Sequence, residues 1–297
     1  MEEQRCLYSS PLLEIGLYDC RRRASGPGAE EWSPRPELAL PLRGAFVKHA
    51  GGRQVTCDVT TAAAFNPGET YRVSHPGDAG DLCLVLAPSG PDLRELVSEG
   101  RREPPELPFE TPAIPLRGGD ALRVRLLRRA LGVAGERETV EELAAELLSS
   151  LTSSPARAPA RGPARPVTRE AQRTLAEAVR RLLRERPGEP VSLSLVARRV
   201  GTTPFHLARV FRRETGWSVR GYAMRLRLYA VLDRLGEAGV DLSGLAAELG
   251  FADHSHLTRR FRAAFGTTPS RFKRRLAAIG GRARREVAPG PSTFDSP

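Results

Sequence analysis

The chain has little cysteine: four residues in 297, Cys6, Cys20, Cys57 and Cys83, all in the first third and widely spaced. That spacing argues against a disulfide framework and against a paired-Cys zinc knuckle, so buried thiols are the default expectation. Long hydrophobic runs are also missing. No stretch approaches the roughly 18 apolar residues that a membrane span needs, and the acidic Met-Glu-Glu-Gln-Arg start leads into no secretory apolar block. A soluble, cytoplasmic protein is expected. Nor is there a compact Ser/His/Asp or Cys/His cluster of the kind that activates a nucleophile.

Positive charge is plentiful and unevenly placed. The chain carries 46 Lys and Arg against 35 Asp and Glu, net +11, yet residues 169–275 alone hold 22 basic and 10 acidic residues, net +12. A basic module joined to a near-neutral one suits a polyanion on one side and a different partner on the other. A membrane surface is the competing partner, but here the cations sit in segments that also carry a core pattern.

Those segments nearly repeat. The first copy, VARRVGTTPFHLARVFRRETGWS, runs from Val196 to Ser218, and the second, LAAELGFADHSHLTRRFRAAFGTTPS, from Leu245 to Ser270. Ala197/Ala246 and Gly201/Gly250 are offset by 49, whereas Leu207/Leu257, Arg209/Arg259, Phe211/Phe261, Arg212/Arg262 and Gly216/Gly266 are offset by 50. One extra residue therefore sits in the second copy's turn. Each copy reads as a short helix, a glycine-containing turn and a second helix with apolar positions at i and i+4, which is a helix-turn-helix.

A chain of this length can hold two domains, each with its own core. Residues 1–110 read as an all-β domain, a small barrel or sandwich. Its apolar or alternating segments are Leu38–Leu40, Gly44–Val47, Val55–Val59, Thr70–Val73 and Leu82–Leu86, with turns at Asn66-Pro67-Gly68-Glu69 and His75-Pro76-Gly77-Asp78. Residues 111–151 switch to helical spacing, with Leu122, Leu126 and Leu127, then Val140, Leu143, Ala144, Leu147 and Leu148, on either side of a break at Gly132–Gly135. These predict an antiparallel helix pair. The Pro- and Ala-rich stretch 152–167 reads as an extended linker, and 281–297 as a disordered tail. The remaining region, 168–280, is all-α. Thr168 can cap its first helix, which Pro187-Gly188 ends, and a long helix over 219–236 joins the two repeats rigidly.

In the first repeat Leu207, Val210 and Phe211 share one face, leaving Phe205, Ala208, Arg209 and Arg212 on the other. In the second, Leu257 and Phe261 point inward, leaving His254, Ser255, Thr258, Arg259 and Arg262 outward. An outward arginine can grip guanine O6 and N7 in a major groove, worth roughly 1–3 kcal/mol of discrimination, and Phe205 can lie on a thymine methyl. Base reading is therefore expected of Phe205, Ala208, Arg209, His254, Ser255, Thr258 and Arg259. Phosphate contacts are expected of His206, Arg212, Arg213, His256, Arg260, Arg262, Lys273 and Arg274. The two histidines, equivalent in the repeat, can as well bond backbone.

At these residues the chain resembles the AraC/XylS family of bacterial transcription regulators. The likeness covers Thr168 to Leu276 and is most specific over Gly250-Phe251-Ala252-Asp253-His254-Ser255-His256-Leu257, continuing through Phe261, Phe265-Gly266 and Thr268-Pro269-Ser270. In the first repeat Thr202 and Thr203 replace a commoner aromatic-Ser pair. The first domain resembles the family's cupin-like sensing domain through Phe65-Asn66-Pro67-Gly68-Glu69 and Val73-Ser74-His75-Pro76. The resemblance implies a non-enzymatic, nucleoid-associated activator, with reading helices at Pro204–Arg213 and Ser255–Ala264. It further implies an effector in the β domain, recruitment of RNA polymerase and a homodimer formed through Asp120–Leu148.

Cys20, His49, Cys57, His75, Asp81 and Cys83 are the residues of the first domain able to hold an effector or a metal, although no tight spacing groups them, and no cofactor is implied. Two alternatives stand beside the effector-controlled regulator. One is a metal or thiol sensor; the other is a DNA alkyl-repair methyl acceptor fused to a helix-turn-helix, which would need close cysteine pairs.

Overall fold

A computed structural model describes residues 2–21, 26–77, 80–89, 93, 107–153, 166–237 and 239–280. Most of the expected linker and the whole of the expected tail lie outside them.

The sheet strands are β1 (Glu2–Ser9), β2 (Leu13–Cys20), β3 (Glu31–Trp32), β4 (Glu37–Ala50), β5 (Arg53–Asp58), β6 (Thr61–Phe65), β7 (Thr70–Ser74), β8 (Asp81–Pro88) and β9 (Ala113–Pro115). Every pairing is antiparallel, in the order β1-β2-β8-β4-β6-β9, with β5 and β7 on the far half of β4 and β3 beside β7. The long β4 causes the closure. Its first residues pair with β6 and β8, its last with β5 and β7, and its register to β8 slips between Pro41 and Arg43. A proline cannot donate to the ladder, so a bulge and bend there are the natural outcome.

Period-2 alternation then gives the rolled sheet two buried faces. Ala39, Phe46, Cys57, Ala63, Phe65 and Cys83 form the inner cluster, and Leu38, Leu40, Leu42, Ala62, Ala64, Leu84 and Leu86 face outward onto helices. The inner wall also holds a fully buried lysine. Lys48 Nζ donates to Ala64 O at 2.5 Å and to Glu69 Oε2 at 2.8 Å, over the Phe65 ring. At Asn66–Glu69, Gly68 has φ +73° and Glu69 N–H donates to Asn66 O at 3.1 Å, as a turn with Pro then Gly at its centre requires.

Helices α1 (Gly118–Leu131) and α2 (Arg137–Thr152) form the expected hairpin. They are followed by α3 (Pro166–Glu185), α4 (Leu193–Arg199), α5 (Pro204–Thr215), α6 (Val219–Arg234), α7 (Leu242–Glu248), α8 (His254–Phe265) and α9 (Pro269–Ala278). Two boundaries differ from the sequence reading. The sheet runs past residue 110 to Pro115, where β9 completes β6. Helix α3 starts at Pro166, so Thr168 lies inside its first turn rather than at the cap; proline's fixed φ suits a first helical position.

The expectation of two separate cores is also corrected. One apolar cluster runs from β2, β4 and β8 through α1 and α2 into the C-terminal half of α6 and on to α7, α8 and α9. Helices α3, α4, α5 and the start of α6 form another. Close approach explains the shared core: a Cβ on Gly118, at the start of α1, would lie 2.0 Å from Ala264 O on α8.

The first unit meets the barrel through Val59, which packs on its core, and through a charged network. Buried Asp58 accepts from Thr60 N–H and Oγ1–H, from the Tyr222 hydroxyl of α6, and faces Arg184 of α3 at 3.6 Å. Arg184 also bonds Glu177, which takes a hydrogen bond from Thr56 of β5 at 2.9 Å. Burial pushes the Asp58 carboxyl up, but Arg180 and Arg184 with the hydrogen bonds of Tyr222 and Thr60 hold it below the usual carboxylate range.

Candidate nucleic-acid interface

The two helix-turn-helix units repeat the same backbone bonds in their turns. In the first turn Val200 N–H donates to Val196 O at 3.1 Å and Thr202 N–H to Ala197 O at 2.9 Å; in the second, Leu249 donates to Leu245 at 3.1 Å and Phe251 to Ala246 at 2.9 Å. Gly201 and Gly250 both have φ +68°, a left-handed bend that glycine accepts without strain. The offset is 49 up to Thr202/Phe251 and becomes 50 at the helix caps Thr203 and Asp253, so the extra residue is Ala252. Thr203 Oγ1 accepts from His206 N–H at 3.3 Å, and Asp253 Oδ1 from His256 N–H at 2.6 Å. Gly216 and Gly266, with φ of 77° and 73°, close the two helices against Arg212 O and Arg262 O at 2.8 Å.

These caps fix what each reading helix presents. Leu207, Val210 and Phe211 of α5 and Leu257, Phe261 and Phe265 of α8 are buried. Phe205 is 79% exposed, a large apolar side chain in water, and Arg209, Arg212, His254, Ser255, Arg259, Arg260, Arg262 and Arg274 are exposed beside it. Ala208, His206, Thr258, His256, Arg213 and Lys273 are half-buried. Among the described residues no carboxylate pairs with Arg209, Arg212, Arg259 or Arg262, while Arg213 meets Glu214 at 3.5 Å.

Two expected phosphate ligands have structural work. The His256 ring lies 3.2 Å from both Ala252 N and Arg260 Nε and packs against Phe251, so it fills the space opened by the extra turn residue. A neutral imidazole accepts at one nitrogen only, so one of these contacts is made at a time. Lys273 Nζ donates to Val240 O at 3.0 Å.

Sequence reasoning missed Arg227, which looks like any helix-surface arginine. It is nearly buried and donates to Pro187 O at 2.7 Å, Glu189 O at 2.6 Å and Gly250 O at 2.9 Å, tying the end of α3, the approach to α4 and the second turn to α6. Burial lowers its pKa. Arg225 likewise donates to Leu116 O at 3.0 Å and stacks on Trp217. Their carbonyl partners lie far along the chain, which no local pattern announces.

Within the barrel, four of the six singled-out residues come together, although no tight spacing groups them in the sequence. Cys20 Sγ is 3.3 Å from His75 Nε2, which is 3.0 Å from Asp81 Oδ1, and Cys83 donates to Asp81 Oδ2 at 3.3 Å. His49 stands apart, with Nε2 2.7 Å from Ser74 Oγ, and Cys57 is buried in the inner cluster. Cys6 is exposed on β1, contrary to the expectation of buried thiols, and is directed at Tyr8 O; it does not join a four-cysteine site. A cavity of about 1720 Å³ opens between the barrel, α3 and α6, bordered by Leu42, Pro76, Leu175, Leu182, Arg128 and Arg181. No helix among the described residues is long and apolar enough to cross a membrane.

Comparison with known proteins agrees with this geometry. A helix-turn-helix domain family matches residues 196–275, and an AraC-binding-like domain family matches residues 22–154. The chain is 32% identical over 84 residues to the multiple antibiotic resistance protein MarA of Escherichia coli K12, covering 28% of this chain and 66% of MarA. It is 28% identical over 88 residues to the regulatory protein SoxS of the same organism, covering 30% of this chain and 82% of SoxS. The crystal structure of unsaturated fatty acid bound wild-type ToxT from Vibrio cholerae aligns with 90% of this chain and 96% of its own, at 10% identity and a TM-score of 0.36. With a double helix-turn-helix behind a barrel that matches the AraC-binding-like domain, the chain belongs to the AraC family of DNA-binding transcription regulators.

Proposed function

We propose that this regulator reads an asymmetric duplex site, with α5 and α8 in successive major grooves on one side of the DNA, about 10 base pairs apart. The observation that carries this reading is the split among arginines. Those at equivalent positions of the two reading helices, Arg209/Arg259 and Arg212/Arg262, meet no carboxylate among the described residues, whereas Arg184, Arg225, Arg227 and Arg234 are spent on the scaffold. Arg209 and Arg259, with Phe205, Ala208, His254, Ser255 and Thr258, face bases. Arg212, Arg213, Arg260, Arg262, Arg274 and His206 face phosphates. Lys273 and His256 combine a scaffold bond with the edge of that surface.

Selection of duplexes bound by the full chain from random DNA is expected to return one two-part site. Arg209→Ala or Arg259→Ala should relax preference at one base position, while Arg212→Ala or Arg262→Ala should weaken all sequences alike and lower the salt slope by about 1. No sequence preference in the selection would end the specific-regulator reading.

Control enters through the N-terminal domain in this proposal. The cavity between the barrel, α3 and α6 offers space for a small effector. RNA polymerase is the partner that family membership suggests. Dimerisation through 120–148 is left to the polar side of α2, at Glu138, Glu142 and Glu146, because Leu122, Leu126, Leu127, Leu143, Leu147 and Leu148 are already buried within the chain.

A further inference from the structure

We propose that Cys20, His75 and Asp81 form a binding site for a borderline divalent cation of the zinc class. One ligand atom from each lies within 4.8 Å of the other two, and all three residues are buried. The backbone makes this convergence: Cys20 ends β2 and Asp81 begins β8 as direct antiparallel partners, while His75 follows β7. Glycines permit the tight approach. A Cβ on Gly80, φ +62°, would fall 2.0 Å from Cys20 O, and one on Gly44, φ +73°, 2.0 Å from Gly80 O. A side chain at either position would push the β8 strand and its carboxylate away from Cys20.

The distances suit a small tetrahedral ion. Zinc bonded to S, N and O at its usual lengths holds its ligands about 3.3–3.6 Å apart, and here S···N is 3.3 Å and N···O is 3.0 Å. Loading needs each of these two edges to lengthen by about 0.3 Å, and the third, between Cys20 Sγ and the Asp81 carboxylate, lies within 4.8 Å. The Asp81 side chain is buried, and its Oδ1, 3.0 Å from the imidazole, makes no hydrogen bond, so an oxygen with unused acceptor capacity faces the cluster. Its other oxygen accepts from the Cys83 thiol at 3.3 Å, so Cys83 orients the carboxylate.

The donor set selects the ion class. One thiolate, one imidazole and one carboxylate suit zinc and its neighbours, whereas calcium and magnesium require oxygen cages. Three protein ligands leave the fourth tetrahedral position to water or an incoming ligand, and binding displaces the Cys20 thiol proton to solvent. The site does not involve α5 or α8, so metal binding and DNA binding are separate measurements.

The test uses the full chain, reduced, stripped with a chelator and titrated with Co²⁺ as a spectroscopic probe. One equivalent should bind with a thiolate-to-cobalt charge-transfer absorption that Zn²⁺ displaces. Cys20→Ser should abolish that absorption, Cys6→Ser should leave it unchanged, and Cys83→Ser should weaken affinity about 10- to 100-fold. The isosteric Asp81→Asn, which keeps the shape of the buried site, guards against a Cys20 variant that fails to fold; it should also weaken Co²⁺ binding while leaving the circular dichroism spectrum intact. Zinc below a tenth of an equivalent by elemental analysis of the loaded, desalted protein would overturn the proposal (about that level being background). So would an absorption that survives Cys20→Ser or an affinity indifferent to Asp81→Asn.

Discussion

Among single residues, Gly201 and Gly250 are the clearest contrast. They share φ +68° and the same place in the repeat, yet a Cβ on Gly201 would meet nothing within 4 Å, whereas one on Gly250 would meet Gly188 O at 2.2 Å. Gly201→Ala is expected to cost only the left-handed strain, about 1–2 kcal/mol. Gly250→Ala should cost more and also disturb Arg227, whose guanidinium holds Gly250 O. Urea unfolding of the full chain measures both; equal losses would contradict the Gly188 contact. The presented faces were legible in the sequence because helical spacing alone separates Arg209 from Phe211 and Arg259 from Phe261. Arg227 was not, since an arginine bound for three backbone carbonyls and one bound for water look the same in a helix. The cluster of Cys20, His75 and Asp81 was illegible for a related reason. Its members were singled out by chemistry, but a cross-strand register brings them together, and register is not written in local spacing.

Among elements, the reading helices were the most legible and the edge of the sheet the least. Pro204, Gly216 and Gly266 mark helix ends, and the apolar repeat fills the interval. Strand β1 lies mostly in solvent, with no buried alternation to betray it. The hairpin of α1 and α2 was found, but its apolar stripe could equally have been covered by a partner; in the structure it is covered by the chain's own sheet and by α8. The caps differ in strength between the repeats. Asp253 combines a charge with a 2.6 Å bond at the positive end of α8, whereas Thr203 offers a neutral hydroxyl at 3.3 Å. Asp253→Ala is expected to destabilise by about 0.5–2 kcal/mol, more than Thr203→Ala, in thermal unfolding of the same protein.

For the molecule as a whole, no residue pattern announces that the barrel and the basic half share a core, because a linker of Pro and Ala suggests separation. Long-range partners decide otherwise. Asp58 is the acid-sensitive part of that union: its folded pKa lies below the ordinary 3.8, so its stabilisation is complete above that value and is lost as pH falls through the lower, folded one. Stability followed by urea midpoints should therefore drop on acidification below 3.8, and Asp58→Asn should flatten that part of the curve. Asp58→Ala, which leaves Arg180 and Arg184 short of a buried carboxylate, should cost about 3–5 kcal/mol at neutral pH. Unchanged unfolding in both variants would remove the junction from the account.

The close approach of Gly118 to Ala264 gives the two reading helices different mechanical freedom. The second unit is bolted to the hairpin by continuous apolar packing, which yields only by breaking. The first hangs from the barrel on Val59 and a few polar bonds centred on Asp58 and Glu177, beside an open cavity. Motion originating in the barrel would therefore leave α8 as the fixed jaw of the molecule and swing α5 as the movable one.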